Sequence, residues 1–233
     1  MHIIITRPIE DSVELINNLK IKGHTVTHLP SIKIIKLPSD FIDFKNYKGI
    51  IFTSANAIKF LDVKNIQKNI QCFCVGELTE KKAKDLGFYN VISAGGNVNA
   101  LIELILRMFD PGIGKLLYVS SEFISKQLDI DLLNKGFSID RVVNYTSEPV
   151  QHIEQNTLKF IKKIMPDVIY VYSEKSAINL KDLINKYLLV DVMMQSNLMC
   201  ISKKISKVLE FIKWKKIVIF NPGEEEFFLN KIR

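Results

Sequence analysis

The chain lacks the residues and segments on which several large classes of protein depend. Three cysteines, Cys72, Cys74 and Cys200, are too few for a disulfide framework or a zinc quartet. No apolar run reaches membrane-spanning length. The opening Met1-His2-Ile3-Ile4-Ile5-Thr6-Arg7-Pro8 has no basic n-region and no long h-region, so a cytoplasmic protein is expected. No strand-linked Gly-x-Gly-x-x-Gly occurs, and Gly112-Ile113-Gly114-Lys115 lacks the spacing of a phosphate loop. His2, His24, His28 and His152 are scattered, none with a visible catalytic partner. Gly- or Ser-rich linkers are absent too, so any hinge is structured. These absences leave no expected metal site, nucleotide cofactor or membrane partner.

Arginine is scarce, with 4 against 28 lysines, yet the net charge is +7. The lysines are spread along the chain, and no basic run is interleaved with aromatics. Nucleic acid is therefore not the expected partner. Such a field suits a small polyanion. Apolar residues make up 47% of the 233, enough for one large core or two small ones. Cys72 and Cys74 share one face of a strand and are expected in the core.

An apolar strand running into a small polar loop occurs twice. The first copy is Gly49-Ile50-Ile51-Phe52-Thr53-Ser54-Ala55-Asn56-Ala57-Ile58, and the second is Val168-Ile169-Tyr170-Val171-Tyr172-Ser173-Glu174-Lys175-Ser176-Ala177-Ile178. Each reads as a buried parallel strand whose carboxyl end opens into a helix, with Ser54 and Ser173 at the cap. Ligands of open α/β sheets bind at such ends. Two similar domains with a ligand held between them are expected.

The β/α order continues through most of the chain and implies parallel sheets. Ser31–Leu37 alternates as a half-exposed ribbon does, and Pro38-Ser39 ends it. The extended Ile139–Thr146 is its expected antiparallel partner. Residues 1–35 and 147–233 form one discontinuous α/β domain in this reading. Residues 38–140 form an inserted one, and 31–37 with 139–146 form the connecting ladder. Helices are expected over Leu78–Leu86, Ser125–Asn134, Ile153–Ile164 and Gly223–Ile232, among others.

The loops, in order, form a set. They run Ile4-Ile5-Thr6-Arg7-Pro8, Gly23-His24 with Pro30, Phe52-Thr53-Ser54-Ala55-Asn56-Ala57, and Val75-Gly76 with Thr79. Leu86-Gly87-Phe88, Leu116-Leu117-Tyr118, Gly136-Phe137 and Asn144-Tyr145-Thr146 follow. Tyr172-Ser173-Glu174-Lys175-Ser176-Ala177, Cys200-Ile201-Ser202, Pro222 and Glu225 complete it. This order resembles the uroporphyrinogen-III synthases, and within them the alphaproteobacterial type, over nearly the whole chain. Thr-Ser-Ala-Asn-Ala is its most specific part.

The resemblance implies two flavodoxin-like parallel-sheet domains joined by a two-stranded antiparallel ladder. It implies cyclisation of hydroxymethylbilane, a linear tetrapyrrole with eight carboxylates, to uroporphyrinogen III, with inversion of ring D and loss of water, in haem biosynthesis. No metal and no cofactor take part, and a monomer is expected. The substrate ionises unaided to an azafulvenium. The enzyme must steer attack to the substituted carbon, giving a spiro-pyrrolenine that fragments and recloses inverted. Orientation is then the main burden, and donors that hold carboxylates matter most.

On that footing the substrate-binding candidates are Thr6, Arg7, Thr53, Ser54, Asn56, Thr79, Ser173, Lys175, Ser176 and Ser202. Arg7 can grip a carboxylate bidentately, or form a plain ion pair. Thr53, Ser54 and Asn56 open a helix, and capping alone would explain them. Thr79 reads as a simple helix cap ahead of a contact, and Gly95-Gly96-Asn97 as a carboxylate cradle or a turn. Two departures stand out: Glu174 replaces a frequent Pro and is expected to point away, and Lys203-Lys204 replaces threonines after Ser202. Tyr145 matches a Tyr of the family and is the candidate proton donor to the leaving hydroxyl, or else a packing residue of the ladder. Two other classes fit the layout: a non-enzymatic two-lobed binding protein for a small polyanion, and a two-lobed sugar-nucleotide transferase, which would need larger lobes.

Overall fold

The computed structural model describes residues 1–38, 42–221 and 223–231. Ser39, Pro222 and Ile232, used in the sequence reading, lie outside them. In chain order the elements begin with β1 (His2–Ile5), α1 (Val13–Ile21), β2 (Thr25–His28), β3 (Ile32–Lys36), β4 (Tyr47–Phe52) and α2 (Ala55–Lys59). Next come β5 (Gln71–Cys74), α3 (Glu77–Asp85), β6 (Val91–Ser93), α4 (Val98–Met108), β7 (Lys115–Ser121), α5 (Leu128–Leu133) and β8 (Ile139–Pro149). The rest are α6 (Gln155–Lys163), β9 (Val168–Val171), α7 (Glu174–Lys186), α8 (Val190–Met193), β10 (Asn197–Cys200), α9 (Lys203–Val208), β11 (Lys216–Ile219) and α10 (Glu225–Asn230). The chain divides into two compact units, Met1–Lys33 with Glu148–Arg233, and Ile34–Ser147.

The first unit holds a five-stranded, all-parallel sheet in the order β11-β10-β9-β1-β2. Numbered within the unit, this is the flavodoxin order 2-1-3-4-5. Its inner strands β1, β9 and β10 are buried along their length because both faces are covered, whereas the edge strands β2 and β11 are partly exposed. Ile4, Ile169 and Leu198 pack on one face with Leu180 and Ile205. Ile3, Ile5, Tyr170 and Met199 pack on the other with Ile16, Leu19 and Leu229. Helix α1 stops where Gly23 takes a φ of +79°, a conformation an L side chain rarely adopts.

The second unit holds a six-stranded sheet in the order β3-β8-β7-β4-β5-β6. From β4 to β8 every pairing is parallel, and counted from β4 the order is 3-2-1-4-5. The period of two again splits the core. Ile50, Phe52, Cys72, Cys74, Leu117 and Val119 face one layer, and Ile51, Phe73, Leu116 and Tyr118 the other. Both thiols of β5 are buried as expected, and burial pushes Cys74 up to about 12. At Gly49 in β4 a Cβ would lie 2.7 Å from Leu116 Cδ2, so a larger residue there would force the buried Leu116 side chain to shift.

Strand β3 lies beside β8. Val150 N donates to Ser31 O at 2.9 Å, and Leu37 N to Asn144 O at 3.0 Å, so the two run antiparallel. β8 is longer than a connecting ribbon requires. It also pairs in parallel with β7 from Ile139 to Tyr145, and so belongs to the second sheet as well. Helix α5 starts at Leu128 rather than Ser125, because Leu128 N turns back onto Lys126 O before the helix opens. The short α8 carried no signal in the sequence reading.

Candidate active site

Strand order reverses between β1 and β9 in the first sheet, and between β4 and β7 in the second. The carboxyl ends flanking these reversals are where open α/β sheets take ligands. Most of the sequence candidates sit there.

At the first reversal, Thr6 is fully buried and its hydroxyl donates to Tyr170 O at 2.6 Å. It thus pins the two flanking strands to each other, and its side chain faces no solvent. Arg7, one residue on, stays half-buried. Its guanidinium carbon lies 4.4 Å from the centroid of the Tyr172 ring, and His28 Nε2 donates to its carbonyl at 2.8 Å. Among the described residues Arg7 has no carboxylate partner. Tyr172 is braced by Tyr170, stacked at 6.2 Å, and by Phe220, edge-on at 5.7 Å. Burial, helped by the Glu225 carboxylate, pushes its phenol well above the ordinary range.

Ser173 caps α7. Its hydroxyl accepts from Ser176 N at 3.0 Å and donates to Ser176 Oγ at 2.8 Å. Lys175 and Ser176 lie in the same first turn, Ser176 buried and Lys175 half-exposed. Ser202 caps α9, accepting from Ile205 N at 3.4 Å. Glu174 does not simply point away: its Oε2 lies 2.6 Å from Lys204 Nζ.

At the second reversal, Thr53 Oγ1 and Tyr118 Oη are 3.2 Å apart across β4 and β7. Burial raises the Tyr118 phenol, while its bond to Thr53 and the charge of Arg141 oppose the rise. Ser54 caps α2, accepting from Asn56 N at 3.1 Å, and Asn56 is buried in the first turn. Thr79 is not a cap. Gly76 holds the cap position of α3, and Thr79 lies three residues inside the helix, buried, because the helix begins as soon as the chain leaves β5. Asn97 caps α4 by accepting from Ala100 N at 2.9 Å, so Gly95-Gly96 serve as its turn. Tyr145 on β8 is 7% exposed and packs with Phe52, Ile58 and Leu61, its ring 6.4 Å from that of Phe60.

Arg141 escaped the sequence reading. It reaches from β8 to Ser120, Ser121 and Glu122 at the carboxyl end of β7. The only available signal was the rarity of its residue type. Among the described residues no group of three or more His, Cys, Asp or Glu is placed to hold a metal, and no helix is long and apolar enough to cross a membrane.

Comparison with known proteins bears on this geometry. The family model for uroporphyrinogen-III synthase HemD (HEM4) matches residues 13–225. The uroporphyrinogen-III synthetase of Helicobacter pylori 26695 is similar in structure, with a TM-score of 0.66, 17% identity, and coverage of 100% of this chain and 99% of that one. A mutant uroporphyrinogen III synthase from the extremely thermophilic bacterium Thermus thermophilus gives a TM-score of 0.55 at 10% identity, over 100% and 98% of the two chains. At these identities the structural likeness speaks to the fold, and the family model to the family. No curated protein matches the chain.

Proposed function

We propose a division of labour among the residues of this chain, which belongs to the uroporphyrinogen-III synthase family. The reaction is that of the family: hydroxymethylbilane is cyclised to uroporphyrinogen III, with inversion of ring D and loss of water, in tetrapyrrole biosynthesis. The residue roles are our reading.

In the first unit Arg7 takes a substrate carboxylate. The Tyr172 ring supports one face of the guanidinium and leaves its N–H edges open for a bidentate grip. Thr6 acts behind it by tying β1 to β9. Lys175 and the first-turn N–H groups of α7, held open by the Ser173–Ser176 cap, supply further donors. Ser202 completes that side at the end of β10. In the second unit Thr53, Ser54 and Asn56 present hydroxyl and amide groups at the end of β4, and Thr79 supports them from α3. Tyr145 assists departure of the substrate hydroxyl by donating a proton, its ring held by the surrounding core.

The observation that carries this reading is Arg7: a cation stacked on a braced aromatic, at a strand-order reversal, with no carboxylate partner among the described residues. Charge left unneutralised at such a place fits an anionic ligand. The free, buried Cys72, Cys74 and Cys200 support a reducing compartment, so we place the protein in the cytoplasm.

The deciding experiment supplies purified protein with hydroxymethylbilane and reads the porphyrin isomer ratio after oxidation. The inverted isomer should dominate. A ratio equal to that of the spontaneous reaction would overturn the reading and leave a binding protein.

A further inference from the structure

Of the three arginines that are described, Arg107 lies in the last turn of α4, Arg7 follows β1 at the first strand-order reversal, and Arg141 lies on β8, beside the β7 that flanks the second. Arg141 sits opposite Tyr118 in the β7–β8 register. Its side chain runs toward the carboxyl end of β7. Nε donates to Ser120 Oγ at 2.8 Å, and Nη2 donates to Ser121 O at 2.8 Å and to Glu122 O at 3.1 Å. Three bonds from two nitrogens fix the plane of the guanidinium.

All three acceptors are uncharged oxygens. An arginine with a purely structural task in a half-buried site ordinarily ends on a carboxylate, because an unanswered charge is costly there. Among the described residues no carboxylate pairs with Arg141, and its Nη1 has no partner. Two N–H donors and the full positive charge are thus held in a set direction. Its register partner Tyr118 is the residue that meets the Thr53 hydroxyl, at 3.2 Å. The charge of Arg141 is felt at the Tyr118 phenol. The cation therefore belongs to the same strand-end group as Thr53.

We propose that Arg141 is a specificity-determining residue of the cyclisation, taking one carboxylate of the bound substrate through Nη1 and so helping to fix which ring carbon meets the forming bond. The inference rests on the activity proposed above and adds a residue to it. Lysine could supply the charge at this place but not the fixed fork, which accounts for an arginine in a chain that otherwise uses lysine.

The test compares Arg141→Gln and Arg141→Lys with the wild-type chain, using hydroxymethylbilane and reading KM, kcat, isomer ratio and Tm. Loss of a charged hydrogen bond to substrate should raise KM about 10- to 100-fold in Arg141→Gln. The share of non-inverted isomer should rise with it, and kcat should change less. Arg141→Lys should fall between that variant and wild type in KM. A structural arginine would lower Tm in both variants and leave KM and isomer ratio unchanged in whatever folds; that result overturns the proposal. Should Arg141→Gln fail to fold, Arg141→Lys decides on the same two readouts. A wild-type chain that leaves the isomer ratio at its spontaneous value fails the activity itself, before any variant is compared. An active wild type with unaltered variants fails only the role of Arg141.

Discussion

Lys204 Nζ lies 2.6 Å from Glu174 Oε2, so an acid in the first turn of α7 is answered by a base in the first turn of α9. The acid and the base thus form one ion pair across the two helix starts. Both side chains are well exposed, and such pairs contribute only about 0.2–1 kcal/mol to stability. An incoming anion would feel the pair as well, since Lys204 offsets a negative charge beside the Ser173 cap. Lys204→Ala should therefore leave Tm nearly unchanged while raising KM several-fold, and adding Glu174→Gln should restore KM. An unchanged KM in Lys204→Ala would make the pair incidental.

Arg7→Lys keeps the charge but loses the planar stack and the fork. KM should rise about tenfold, as expected for one charge-assisted hydrogen bond, with little change in kcat. Tyr172→Leu should shift KM in the same direction, because it removes the support under the guanidinium. Arg7→Lys kinetics identical to wild type would assign Arg7 to the scaffold.

Tyr145→Phe retains the ring that packs against Phe52, Ile58 and Leu61, so folding should survive. Removing one positioned proton donor should lower kcat by about 10²-fold. The remaining product should stay mostly inverted, since orientation sets the isomer. Wild-type rates would identify a packing tyrosine, and complete loss in a folded variant would give it a larger part than assistance.

The net charge of +7 and an octacarboxylate substrate predict steered capture. As salt rises, kcat/KM should fall and kcat should change less. A flat salt response would mean that capture does not depend on the field.

Asp140 gives a prediction in acid. Lys115, at 2.9 Å, is the main cause that holds its carboxyl below the usual aspartate range, and the Tyr47 hydroxyl at 2.7 Å adds to it. A depressed carboxylate stabilises the fold above its unfolded pKa, and that contribution is lost as pH falls through the folded one. The Tm advantage of wild type over Asp140→Asn should therefore be present at neutral pH and shrink below about pH 4. A difference independent of pH would remove this account.

The α/β class and its parallel sheets were legible because β1, β4, β7 and β9 read as unbroken apolar runs flanked by helical periods. The lateral order 3-2-1-4-5 of the second sheet was not, since every β-α-β connection looks alike in one dimension. Caps such as Ser54 and Ser173 announced themselves through residue type. Thr79 misled for the same reason, since Gly76 takes the cap and a threonine inside a first turn carries the same letter. The closeness of Arg141 to Ser120 was invisible because it comes from the register of β7 with β8 rather than from any local pattern.

The register of β1 against β9 pairs Ile3 with Val168, so β1 waits for its inner neighbour, the central strand of the first sheet, which is made much later. At ribosomal speeds of about 5–20 residues per second, that wait is roughly ten to thirty seconds. During it the isoleucines of β1 are bare on one side, whereas β4 to β8 emerge together and can pair as they appear. The second unit is thus free to mature on the nascent chain while the first remains a hairpin-sized fragment of helix and strand. An apolar strand edge exposed for that long, here Ile3, Ile4 and Ile5, is prone to aggregation. The segment that waits longest also carries Thr6 and Arg7, so assembly of the first sheet and of its candidate site share one late step.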